Sequence, residues 1–242
     1  MVHTLPDYSS KYKNVTLSNI TDYAELAARL GSIVTHDRRG NVVWLENFEH
    51  GINRWWVTGS GVGNSQTISA TTSRSGDSSL KLVTGNTLAH QARARKLFQY
   101  PSLVKHGLEF SFTYGADFDY MRVWFNIRDG ADVHYIGLEI DNTNQRVEYW
   151  DDAGNWVPTG ITFTEVVAWP MFVTVKIVAD ASTDLYTRLI YGEQEADLSA
   201  HGLQVAGAPG APYIDVFFDM FSTAGNNATM YIDDIILTQN EV

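Results

Sequence analysis

From residue 33 onward the chain is a succession of short runs in which apolar and polar residues alternate, punctuated by Gly, Asp and Asn. Side chains of a strand point alternately to its two faces, so a period of two marks half-buried β-strands. The runs are Leu80–Thr84, Leu108–Tyr114, Tyr120–Arg128, Val133–Asp141, Arg146–Asp151, Phe172–Asp180, Tyr186–Tyr191, Tyr213–Met220 and Thr229–Thr238. No strong helical period follows residue 31. Many short strands at this spacing must bury one face each against another sheet, which predicts an all-β fold, an antiparallel β-sandwich of jelly-roll type. The 44% hydrophobic content is ample for that core. There is no cysteine, which excludes disulfides and thiolate chemistry.

The formal net charge is −11. An acidic surface repels phosphate backbones, so nucleic acid is not an expected partner. No run approaches the ~20 apolar residues of a membrane span. Met1–Asp7 has no basic region leading into an apolar run, so no secretion signal is predicted. The expected course is synthesis in the cytoplasm and a virion or extracellular destination reached by another route, such as lysis.

The first 45 residues differ in character. Residues 1–20 are polar and predict an extended arm. Asp22 and Glu25 form a capping box, Tyr23, Leu26, Ala27 and Leu30 share one helical face, and Gly31 supplies a stop. That predicts a helix over residues 22–30, too short to stand undocked. Ile33–His36 and Asn41–Leu45 read as a hairpin around Asp37–Gly40. The predicted organisation is an arm, helix and hairpin for docking and assembly over 1–45, then one sandwich domain over 46–242.

The central runs are the most legible. Met121, Val123, Phe125 and Ile127 point one way, with Ile136, Leu138, Ile140, Val147 and Tyr149 beside them as a core side. His134 falls on that apolar side and reads as a core histidine with a partner. The opposite side then gathers Arg122, Trp124, Asn126, Arg128, Tyr135, Glu139, Arg146, Glu148 and Trp150. Aromatic rings stack on the apolar faces of sugars, and charged or amide groups bond hydroxyls, so this mixture suits a glycan. The same residue types are favoured at protein interfaces, and a covered face is the alternative.

Three landmarks frame the chain: Asn47-Phe48-Glu49-His50-Gly51 with Trp55-Trp56, then Ser73–Leu82, then Tyr231–Leu237. Together they resemble the first-strand, early-hairpin and last-strand signatures of carbohydrate-binding modules, the galactose-binding and concanavalin-like jelly rolls. In such modules a structural calcium ion often ties the first strand to the last. The resemblance implies Glu49, Asp77 and Asp233 or Asp234 as ligands, with carbonyls near Ser73 and Gly76. The alternative is that Asp233 and Asp234 cap a strand or pair with Arg74. Glu139-Ile140-Asp141-Asn142-Thr143-Asn144 resembles the Glu-x-Asp-x-x-Glu strand of laminarinase-like glycosidases. Asn144 stands where the second catalytic carboxylate belongs, and Asn142–Asn144 reads as a turn, so no catalysis is expected. Gly59–Gly63 lacks the Lys-Ser/Thr of a phosphate loop and reads as a flexible loop.

Asp7–Tyr12, Ala24–Ile33 and Asp37–Gly40 resemble the start of uncharacterised phage and prophage structural proteins. With the arm, this implies a non-enzymatic virion structural or surface protein, as capsid decoration, fibre or tail component. Its expected partners are other virion proteins or itself as a homo-oligomer, with a cell-surface or polymeric glycan as a further one. A free glycan-binding module is the alternative, and a jelly-roll glycosidase a distant third.

Overall fold

The computed structural model describes residues 37, 39–87, 91–99, 102–115, 117–164, 171–222 and 225–242. The predicted arm, the 22–30 helix and Ile33–His36 lie outside them. In chain order the strands are β1 (Asn41–Glu46), β2 (Trp56–Gly59), β3 (Ser65–Ser69), β4 (Ser79–Val83), β5 (Gln91–Gln99) and β6 (Lys105–Thr113). There follow β7 (Phe118–Arg128), β8 (Asp132–Tyr135), β9 (Gly137–Asp141), β10 (Arg146–Trp150), β11 (Trp156–Thr162) and β12 (Phe172–Asp180). The last are β13 (Leu185–Tyr191), β14 (Gln194–Asp197), β15 (Gln204–Gly207), β16 (Tyr213–Ser222) and β17 (Thr229–Gln239). No helix occurs among the described residues.

The strands form two antiparallel sheets. Sheet A runs β14-β13-β12-β6-β17-β4-β3, with β1 also on β17. Sheet B runs β11-β10-β9-β7-β16-β5-β2, with β8 and β15 added beside β7. The period of two delivers the inner faces: Phe110 and Phe112 of β6 meet Phe125 of β7 and Phe218 of β16, all with no exposure. The rings of Phe110 and Phe218 sit edge-to-face at 5.1 Å across the sandwich. Each predicted run falls on a strand to within three residues at its ends, except that Val133–Asp141 divides into β8 and β9 at Ile136.

The division at Ile136 frees backbone groups that a side chain from the other sheet satisfies. Tyr186 of β13 is buried, accepts the Gly137 amide at 3.1 Å and donates to the Trp150 carbonyl at 2.8 Å. One hydroxyl therefore fixes β9 and β10 from beneath. Burial pushes the Tyr186 phenol well above its ordinary value, so it stays a donor.

Two features close the fold. On one side of β17 the partner is β4 up to Ile232 and β1 from Ile235. The handover coincides with a bulge between Asp233 and Ile236, where Asp234 takes φ 48°. First and last strands thus lie side by side, as the sequence landmarks imply. On the outer face of sheet A, Lys176 is fully buried, with Nζ 2.8 Å from Glu241 and 3.1 Å from Asp37. Arg188 bridges the same two carboxylates, and Lys176 also donates to the Arg39 carbonyl at 3.0 Å. Residues 37 and 39 are thereby clamped to the back of sheet A, on the opposite side of the sandwich from the outer face of sheet B.

Candidate functional site

The outer face of sheet B is built from two rows running across the strands, set by register. Trp56 of β2 pairs Arg95 of β5, Arg95 pairs Phe217 of β16, and Phe217 pairs Trp124 of β7. Trp124 pairs Gly137 of β9, and beyond it Trp150 of β10 pairs Trp156 of β11. One row therefore carries a ring on five of its seven strands, with Arg95 and Gly137 on the other two. The adjacent row runs Arg93, Asp219, Arg122, Glu139, Glu148 across the same strands and is charged throughout.

The aromatic row is one packed platform. Trp124 lies 5.3 Å from Trp150, 5.4 Å from Trp156 and 6.1 Å from Phe217, centroid to centroid. Gly137 makes this approach possible: a Cβ there would stand 2.8 Å from Trp150 Cβ and 3.0 Å from the Trp124 ring. Trp150 is held by its indole donating to Gln204 at 2.8 Å and by Tyr186 at its carbonyl. Trp56, at the edge, is 64% exposed, while the inner rings are half-buried by one another. A hollow of about 390 Å³ opens where Trp124, Phe217 and Phe221 meet Arg93, Arg122 and Asn126, with Tyr135 at its rim. A smaller hollow of about 180 Å³ between Trp56 and Arg95 shares Arg93 with it.

The charged row is internally neutralised. Arg93 grips Asp219 with two bonds at 2.5 and 2.6 Å, and Arg95 grips Asp215 with two at 2.7 Å. Arg122 Nε donates to Glu139 at 2.5 Å, and Arg146 lies 2.8 Å from Glu148 and 3.6 Å from Asp141. The same guanidiniums lie over rings, Arg93 over Phe217 at 4.9 Å and Arg122 over Trp156 at 5.2 Å. Burial pushes the Glu139 carboxyl up to about 7 against the pull of Arg122, with the charge of Glu148 adding to the rise. Burial likewise raises Asp219 despite Arg93.

Among the described residues, the acidic groups close enough to share an ion are Glu139, Asp141 and Glu148, within 4.8 Å of one another. The set implied for calcium is arranged differently. Asp233 accepts the Arg74 and Ser75 amides at 2.8 and 3.2 Å and the Asp234 amide at 2.8 Å. Asp234 accepts the Ser75 hydroxyl at 2.6 Å and pairs with the Arg74 guanidinium at 2.9 Å. Glu49 accepts the Asp77 and Ser78 amides, both at 2.8 Å, and the Ser73 hydroxyl donates to the Gly76 carbonyl at 3.0 Å. These lone pairs already face N–H and O–H donors, so the donor set fits a cation only after Arg74 is displaced. Burial, then the neighbouring Asp234, pushes Asp233 up to about 7. A shallow hollow of about 600 Å³ beside this loop is lined by small polar residues such as Thr71, Thr72 and Ser73, with no ring to stack on.

The structure puts the predicted face together. Arg122, Trp124, Asn126, Glu139, Arg146, Glu148 and Trp150 share the outer side of sheet B, with Tyr135 6.3 Å from Trp124. Arg128 lies at the end of β7 over the Tyr213 ring at 5.4 Å. Trp56, Arg93, Arg95, Trp156, Asp215, Phe217, Asp219 and Phe221 were not foreseen, because β2, β5 and β11 carry weak alternation and the outward side of β16 was not read. His134 is buried with Nδ1 2.7 Å from Asp184, as a partnered core histidine should be. Gly59 ends β2, and the residues after it turn into β3. Strand β9 ends at Asp141, whose carboxylate accepts the Asn144 amide and side chain at 3.0 and 2.6 Å. The third position of the glycosidase-like motif is therefore a turn residue bonded to the second.

No family model matches the chain, and no curated protein matches it. Solved structures do. An endo-β-1,4-glucuronan lyase from the fungus Trichoderma reesei superposes with TM-score 0.57 at 14% identity, covering 83% of this chain and 96% of the other. A carbohydrate esterase from the Shiga toxin-encoding bacteriophage phi24B gives TM-score 0.51 at 12% identity, covering 84% and 100%. Lectin UEA-II complexed with galactose gives 0.47 at 15% identity, covering 83% and 100%. The fold is an all-β antiparallel sandwich of the jelly-roll kind, shared with the lyase and the esterase. At these identities the likeness concerns the fold alone.

Proposed function

We propose that this protein is a non-catalytic glycan-binding module whose site is the outer face of sheet B. The observation that carries this is the row of rings from Trp56 to Trp156, with Arg95 and Gly137 set among them, flanked by hydrogen-bonding groups and opening into a hollow. Stacking rings supply affinity for the apolar faces of sugars, and the flanking polar groups supply orientation. The row crosses seven strands, that is six spacings of ~4.8 Å, so it spans roughly 29 Å. That length suits a chain of sugars laid across the strands. Affinity electrophoresis in soluble polysaccharides tests the reading: retardation by at least one, lost in Trp124→Ala, supports it. Migration unaffected by every polymer overturns it.

Binding without turnover is part of the proposal. Glu139 and Glu148 are each held by an arginine and nearly buried, and Asn144 replaces the motif's second acid. Release of reducing sugar from a β-glucan, lost in Glu139→Gln, would contradict it.

We propose a virion surface as the place where the module is displayed, together with other copies or other virion proteins. Support comes from the phage-like N-terminal sequence and from the clamp at residues 37 and 39. The clamp holds residues 37 and 39 at the back of sheet A, on the side away from the row of rings. Particles that incorporate a chain lacking residues 1–32 as well as the full chain would overturn this setting and leave glycan binding untouched.

A further inference from the structure

We propose that the hollow on sheet B selects uncharged sugar units and rejects uronates, with Asn126 as the residue that reads a hydroxyl. This rests on the glycan-binding reading and narrows its ligand class.

The charges are the first argument. Arg93 and Arg122 are the cations lining the hollow, and each is committed to a carboxylate, Asp219 or Glu139. Anion recognition by arginine needs the guanidinium fork free to meet the incoming carboxylate with two parallel bonds. Here that fork on Arg93 is filled from within the protein. The N–H groups left over can donate to hydroxyl oxygens, yet the site offers no net positive charge to a uronate. An incoming carboxylate would instead meet Asp219 and Glu139 at close range, in a chain whose net charge is −11. At Arg93 an acidic polymer could be gripped only by breaking the pair with Asp219, and at Arg122 it would stand beside Glu139.

The second argument is independent of charge. Asn126 lines the hollow, is only 6% exposed, and its Oδ1 has no hydrogen-bond partner. A buried amide without a partner is uncommon and calls for one. A sugar hydroxyl both donates and accepts, so it satisfies the amide whichever way it is turned. A carboxylate only accepts, so with the amide as it stands Oδ1 would still lack a donor. Trp124 and Phe217 flank Asn126 and supply the stacking surface that brings a hydroxyl-bearing ring to it.

The test uses the full chain at pH 8, where Glu139 is ionised, with two panels of soluble polymers. One panel is neutral: β-glucan, galactan, mannan and xylan. The other is acidic: polyglucuronate, polygalacturonate and alginate. The expected result is binding to at least one neutral polymer and to no uronan. Asn126→Ala should weaken the neutral binding at least tenfold with its unfolding midpoint retained. Asp219→Asn releases Arg93, and uronan binding should then appear or rise at least tenfold. Uronan binding by the native chain that needs Trp124 overturns this inference and leaves the glycan reading standing. So does undiminished neutral binding by folded Asn126→Ala. If Asp219→Asn does not fold, Asp215→Asn, which frees Arg95, carries the same expectation, and no gain in either overturns the charge argument. Binding to neither panel overturns both the inference and the reading beneath it.

Discussion

Sheets A and B each carry an ionic network on their outer face, and the two networks serve opposite ends. On sheet A, Lys176, Arg188, Asp37 and Glu241 are sealed beneath the segment at residues 37 and 39 and beneath the C-terminus. On sheet B, Arg93, Arg95 and Arg122 stand a quarter to a third exposed, over rings, with their carboxylates beneath. A buried network charges desolvation against the fold and repays it only through complete pairing, so it holds chain segments in place. A half-exposed network keeps donors and rings facing solvent, where a ligand can use them. The same residue types thus make a clasp on one face and the proposed glycan surface on the other.

The sharpest way to break the comparison is Lys176→Met. It strands Glu241 and Asp37 with reduced compensation and should cost about 3–5 kcal/mol of stability, read by denaturant unfolding. Removing Arg93 from the half-exposed network should cost far less. Equal losses would mean that burial does not separate the two networks.

Next is Trp124→Ala, which should lower glycan affinity by about 2 kcal/mol or more, roughly thirtyfold, while the fold persists. Calorimetric titration alongside thermal unfolding separates the two effects. Lys176→Met that folds at low temperature should keep its binding, since it lies on the other sheet.

The networks also differ in how they respond to pH. Burial alone would raise Asp37, but hydrogen bonds from Arg39 and the charge of Lys176 outweigh it and hold the carboxyl well below its ordinary range. Asp37 therefore stays charged through mild acid. Glu139 and Asp233, both raised to about 7, behave oppositely. Each holds a proton in the folded state at a pH where the unfolded chain has released it. Stability from these two groups therefore increases as pH falls from 8 towards 5 and is lost as pH rises through 7. His106, which burial keeps neutral, opposes this below its ordinary value of 6.5. Asp233→Asn should flatten the slope of unfolding midpoint against pH, and an unchanged slope would remove Asp233 from the account.

The smallest expected effect concerns calcium. We propose that the ion enters the 73–78 loop only when Arg74 is withdrawn from Asp234. Millimolar calcium should leave the native unfolding midpoint where it is and raise that of Arg74→Ala. A clear rise for the native chain would show that the ion displaces the guanidinium.

What was legible in the sequence followed the physics of single strands. In β7 and β10 large apolar and large polar residues alternate without interruption, so both faces could be read in advance, down to Trp124 and Trp150. β5 could not be read this way. Its inward residues Ala92 and Ala94 are too small to mark a core face, and its arginines give no strand preference. Asn41–Glu46 was legible as a strand, but its partner β17 lies far away in the chain.

By itself the sequence determined the fold class and the two-faced central strands, because a period of two and turn residues act locally, while the pairing of first and last strands was only implied by a resemblance. Only the tertiary structure decided the aromatic row and its neutralised companion. Both are rows of register partners drawn from strands distant in sequence, and each member's meaning comes from the residue set beside it. Arg93 is a donor whose charge is compensated because Asp219 lies opposite, and the tryptophans form a platform because Gly137 leaves them room.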